Sequence, residues 1–218
     1  MPHARSIALA IGVPLLAASA ALAGTRATGL PRRLGASRFE SRTPMPGDDL
    51  LPDAVVQNDR ARLLPASPAD VWPWLAQMGQ DKAGFYSFEA LENALGCQVE
   101  GADRIHPDWQ DVAVGDPFPL HPDIALRVAE VIPGRALVLT SEGGSAPDGP
   151  EFDFTWSFML RPVPQPGREV YTRLRIRERY WAPRKSTRVM LEAVSYGSAV
   201  MTWRMLSRLE HLTRMANP

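Results

Sequence analysis

The residues most able to move protons lie in one short run, Asp103-Arg104-Ile105-His106-Pro107-Asp108-Trp109. Carboxylates and imidazoles are the usual general acids and bases, so Asp103 or His106 at a pocket mouth could act as one. The phenol of Tyr86 is a third candidate for that role. The same run also reads as a plain turn. Pro107 biases His106 towards an extended loop conformation, and Asp103 can simply pair with Arg104.

A second group is suited to binding rather than to reaction. Gln77, Gln80, Tyr86, Glu89 and Asn93 fall on or between two short predicted helices, where a few polar groups could orient an apolar guest. Glu89 and Glu92 are more simply the solvated face of the second helix. Trp74, Trp109, Phe154, Trp156 and Tyr196 supply bulky walls, and Met190, Met201 and Met205 could make one wall adaptable. Aromatic residues at strand spacing also fill ordinary cores, so both readings stand. The candidate ligand-binding residues are Trp74, Gln77, Tyr86, Asn93, Trp109, Phe154, Trp156 and Tyr196.

Other chemistries lack their motifs. The chain has no GxGxxG, P-loop, GxSxG or HExxH pattern, and Gly143-Gly144-Ser145-Ala146-Pro147 is no nucleophile elbow. One cysteine, Cys97, and four scattered histidines make neither a disulfide framework nor a zinc cluster. No cofactor and no metal are expected. With 24 basic and 24 acidic residues, the net charge of zero removes the attraction on which non-specific nucleic-acid binding depends.

The 218 residues suit one domain with an appendage, and 21 prolines predict many loops. Val55–Leu64 reads as a first strand. Ser67-Pro68-Ala69-Asp70 then starts a helix, with Ser67 as cap and Pro68 in the first turn, and Pro73 should kink or shorten it. A second helix is predicted over Ser87–Leu95, closed by Gly96. Beyond it the period changes to two. Ile124–Val128, Ala136–Thr140, Glu151–Leu160 and Val170–Arg179 read as strands, the last two joined by a Pro-rich hairpin.

In that hairpin Phe152, Phe154, Trp156, Phe158 and Leu160 share one face. Arg173, Arg175, Arg177 and Arg179 occupy the opposite face, where Glu151 and Asp153 are expected to pair with them at the surface. Thr187–Met215 is a long helix, the element large enough to cover the apolar side of an antiparallel sheet.

At the N-terminus, Ser6–Gly24 is an uncharged stretch long enough to span a bilayer. Arg26, Arg32, Arg33, Arg38 and Arg42 follow it, which favours a retained anchor with the domain in the cytoplasm. The alternative is a signal peptide cleaved near Ala23, giving a secreted or periplasmic product. Residues 25–52, rich in proline and glycine, are a linker or an arm laid on the domain, which occupies residues 53–218.

The order strand, two short helices, antiparallel strands, long helix occurs here with VWPWLAQMGQDKAGFYSFEALENALG (Val71–Gly96) and ADRIHPDWQDVAVGD (Ala102–Asp116). Together they resemble the SRPBCC superfamily, and in particular an uncharacterised bacterial branch of it. That superfamily includes START lipid-transfer domains, polyketide cyclases and the birch-pollen allergens. The resemblance implies an α+β helix-grip fold, a curved antiparallel sheet wrapped around the C-terminal helix with a cavity between them. It implies a small hydrophobic ligand such as a lipid, polyketide or isoprenoid-like compound. A cyclase or dehydratase using Asp103, His106 or Tyr86, or a ligand-free interaction module, remain alternatives, because fold alone does not define function.

Overall fold

The computed structural model describes residues 32–94, 96–122, 124–141, 151–166 and 170–216. Seven strands form one curved, unclosed sheet: β1 (Arg33–Leu34), β2 (Val56–Leu64), β3 (Pro117–His121), β4 (Ile124–Ile132), β5 (Ala136–Thr140), β6 (Asp153–Val163) and β7 (Tyr171–Trp181). Their order is β1-β2-β7-β6-β5-β4-β3. Every pairing is antiparallel except that of β1 with β2. Among the described residues four α-helices accompany the sheet: α1 (Arg38–Arg42), α2 (Pro68–Ala76), α3 (Glu89–Ala94) and α4 (Lys185–Ala216). The expected α+β helix-grip architecture is what the chain adopts.

The local signals explain the short helices. The Ser67 hydroxyl accepts from the Asp70 amide at 3.3 Å, and Pro68 occupies the first turn. α2 ends after nine residues at Gln77. Helix α3 is shorter than predicted, starting at Glu89 instead of Ser87, and Gly96 follows it with φ +90°.

Period-two alternation gives the sheet two faces. Concave-facing Leu64, Leu137, Leu139, Phe158, Leu160, Leu174 and Ile176 form a core with α2 and the C-terminal half of α4, through Met205, Leu206, Leu209 and Leu212. The convex face differs from expectation. Arg175 and Arg177 are not surface residues: they are 5% and 2% exposed. Nor do Glu151 and Asp153 pair with them, because the register sets Asp153 opposite Trp181 and Ser157 opposite Arg177.

Their cover is the arm between β1 and β2. Arg177 donates to Asp59 Oδ1 at 2.7 Å and Asp48 Oδ2 at 2.6 Å, and to the carbonyls of Glu40, Ser41 and Thr43. Arg173 forks onto Glu40, with both bonds at 2.8 Å, and Arg175 donates to the Glu40 carbonyl. Gly47 lets the arm lie close. Its φ is +83°, and a β-carbon there would stand 2.4 Å from Val138 Cγ1. The alternation was read correctly, but a segment distant in sequence buries its polar side.

This clamp should respond to acid. The hydrogen bonds from Arg173 are the main reason that Glu40 ionises at about 2, below its ordinary 4.5, with the Ser37 amide assisting. A lowered folded-state value means that its stabilisation is complete above about pH 4.5 and is lost as pH falls through about 2. Hydrogen exchange of residues 37–50 should therefore accelerate across that window before the core amides do. In Glu40→Gln the arm should exchange faster at neutral pH, with a weaker acid dependence.

Candidate functional site

Where α4 crosses the concave face, its inward side chains change in size along the helix. Ser195, Ser198, Ala199 and Thr202 precede the leucine-rich half, and these short side chains leave space beside the aromatic residues of the sheet that the leucines fill further along. The result is a chamber of about 320 Å³, at the small end of the ~300–1,000 Å³ typical of small-molecule sites. Phe85, Phe154, Trp156 and Tyr180 wall it on the loop and sheet side, and Val194, Ser198, Met201, Thr202 and Met205 on the helix side. The rings pack against one another, Phe154 on Tyr180 at 4.6 Å and Trp156 on Phe158 at 4.8 Å.

Two carboxyl groups interrupt this apolar lining. Glu178 is held from behind: Arg60, fully buried, lies 3.0 Å from its Oε2. Asn58 Nδ2 donates to the same oxygen at 3.1 Å and to Ser195 Oγ at 2.9 Å, while Ser198 donates to Glu178 Oε1. Tyr180 contributes a long bond of 3.4 Å. Arg60 itself is not part of the chamber wall, so the pole that a guest meets is the acid. Glu92 is the second, and the expectation of a solvated position for it is corrected, because it is buried against the chamber. Burial raises its pKa above the ordinary 4.5, with the Ser87 hydrogen bond acting against this and nearby Glu89 adding to it. Burial likewise raises the Cys97 thiol at the same wall, and Glu92 adds to that effect.

The residues singled out from the sequence divide among three places. Phe154 and Trp156 wall the chamber. Trp74, Gln77 and Tyr86 instead form a buried bracket. Tyr86 donates to the Trp74 carbonyl at 3.0 Å and accepts from Gln77 Nε2 at 2.9 Å. The Gln77 amide also binds the Arg104 carbonyl and the His106 amide, both at 3.0 Å, so it anchors the 104–110 loop on α2. Burial raises the Tyr86 phenol well above its ordinary 10, although the Gln77 bond opposes this. Tyr86 therefore stays protonated at neutral pH and is fully engaged in structure.

Asp103, His106 and Trp109 line a separate, polar surface groove with Asp81, Lys82 and Glu100. There the His106 ring stacks on Trp109 at 4.1 Å. No described residue lines both groove and chamber. Asn93 clips the following loop through paired bonds with the Val99 backbone, and Tyr196 is half-buried on α4 outside the chamber wall. The three acid–base candidates are thus not brought together. Among the described residues no cluster of potential metal ligands occurs.

Asn58, Arg60, Glu178, Ser198 and Thr202 are not among the residues that the sequence points to, and Glu92 is expected there only as a solvated residue. A signal for two of them is present: Arg60 falls in phase with Val56 and Leu64, and Glu178 with Leu174 and Ile176. A charge on the apolar phase of a strand must be buried, paired or both.

The fold and site define an α+β domain in which a sheet and a C-terminal helix flank a small open chamber with an acidic pole. No model of a known family matches the chain, and no curated protein matches it. Among solved structures it is similar to a Mesorhizobium loti protein at 22% identity, covering 75% of this chain and all of that one, with TM-score 0.46. A Nitrosospira multiformis protein aligns at 13% identity over 75% of this chain and 100% of its own, with TM-score 0.45. One from Chromobacterium violaceum aligns at 16% over 74% and 97%, with TM-score 0.42. None of the three has a name that states an activity.

Proposed function

We propose that the protein is a helix-grip binder of the SRPBCC, START-like type that takes up a small hydrophobic molecule between α4 and the sheet. The observation that carries this reading is the chamber itself: about 320 Å³, walled by four aromatic rings, where short side chains on the helix leave volume unfilled. Aromatic surface lining an open cleft of this size stays in contact with water unless a guest covers it, and covering it is favourable. The polyketide cyclase-type alternative has less support, since Tyr86 is locked in structure and Asp103 and His106 face a different groove.

Membrane tethering through Ser6–Gly24 belongs to the same proposal. That stretch lies outside the described residues, and among those described no helix is long and apolar enough to cross a membrane. Native mass spectrometry of the purified protein should show a co-purified small molecule. Val194 is 44% exposed and lines the chamber, so it stands at the opening. Val194→Trp should abolish uptake of a fluorescent hydrophobic probe while changing stability by only about 0.5 kcal/mol. Trp156→Ala should also lose uptake, at a stability cost below the ~3–5 kcal/mol of a fully packed tryptophan. Failure of the wild-type protein to take up any probe would remove the binding reading.

A further inference from the structure

Resting on the chamber as a binding site, we infer that its ligand carries a hydroxyl head, which docks between Glu178 and Trp156, and that carboxylate-headed ligands such as fatty acids are excluded. The wall presents the acid and hides its counter-charge. Glu178 lines the chamber, while Arg60 sits behind it with its side chain wholly buried. Glu178 Oε2 is occupied by Arg60 and Asn58, whereas Oε1 receives Ser198 alone and has room for another donor.

Trp156 is the register partner of Glu178 on the neighbouring strand. It is 9% exposed, and its indole N–H finds no hydrogen-bond partner among the described residues. That N–H is out of solvent contact, so using it requires a tilt of the ring towards the chamber. A buried donor without a partner is costly, and a guest oxygen relieves that cost. A hydroxyl can donate to Glu178 and accept from Trp156 at once. An ammonium can only donate, and an ionised carboxylate can only accept. The carboxylate would also face Glu178 as a like charge beside a largely apolar lining.

The test uses three probes with one apolar body, decanol, decylamine and decanoate, in equilibrium dialysis against the full chain at about pH 8, where decanoate is an anion and decylamine a cation. Decanol should bind tightest and decanoate at least about tenfold more weakly. Trp156→Phe, which keeps a ring and removes the N–H, should weaken decanol about fivefold and leave decanoate unchanged. Glu178→Gln strands the Arg60 charge, so the paired replacement Arg60→Met with Glu178→Met is the safer variant. In it the preference for decanol over decanoate should collapse. Equal or tighter binding of decanoate or decylamine by the wild-type protein would overturn the hydroxyl assignment and leave the chamber reading standing. Binding of none of the three would overturn both.

Discussion

Arg177→Ala is expected to destabilise the protein by about 3–5 kcal/mol, the cost of breaking a buried ion pair by removing one partner. The guanidinium is 2% exposed and fills two roles. It pairs with Asp59 on β2 and Asp48 in the arm, and it caps three arm carbonyls, those of Glu40, Ser41 and Thr43. Without it, both carboxylates and the carbonyls lose a donor behind a segment that excludes water. Arg177→Lys should recover little, because one ammonium cannot reproduce a planar fork with five donors. Urea unfolding measures the loss, and limited proteolysis within residues 37–50 should show the arm released first. A chain begun near Leu50 should show much of the same loss, because it discards Glu40 and Asp48 and uncovers Arg175 and Arg177. Loss of less than about 1 kcal/mol in Arg177→Ala would mean that the clamp is worth no more than an exposed pair.

Glu178→Ala is expected to cost about 3–5 kcal/mol for a related reason on the other face of the sheet. It strands Arg60, fully buried, with the Ser195 carbonyl at 3.2 Å as its remaining acceptor. Ser198 also loses its acceptor in the sheet, and Asn58 loses one of its two. Replacing both charges together should recover most of that loss, since a buried pair exchanged for apolar groups of similar volume is often neutral. The coupling energy from a double-mutant cycle on Arg60 and Glu178 measures this. A cycle showing additive losses would place the stabilisation elsewhere in the network. Recovery in the double variant would indicate that the pair is dispensable for folding, which fits a role in presenting an acceptor to the chamber.

Much of the architecture was legible because it is written in local periodicity. The alternation in Asp153–Val163 and Tyr171–Trp181 follows from the opposite pointing of successive strand side chains. The cap at Ser67 and the stop at Gly96 follow from backbone groups that only nearby residues can satisfy. Of the candidate site, Phe154 and Trp156 could be placed on the concave face, because their phase matches Phe158 and Leu160. Gln77 and Tyr86 could be noticed but not placed. Their partners, the Trp74 and Arg104 carbonyls, are backbone groups that any residue type supplies.

The elements, their order and the apolar face of each strand are encoded locally, since each depends on residues a few positions apart. Three features arise instead from contacts between distant segments. The arginine face of β7 is buried because an arm more than a hundred residues earlier folds across it. Glu178 and Arg60 meet because β2 and β7, at opposite ends of the domain sequence, are sheet neighbours. The chamber exists because the short residues of α4 fall opposite Trp156 rather than opposite Leu160, a matter of how the helix is docked along the sheet. Alternation says which side a residue faces. What stands on that side depends on contacts between segments far apart in the chain, and those contacts leave no periodic trace.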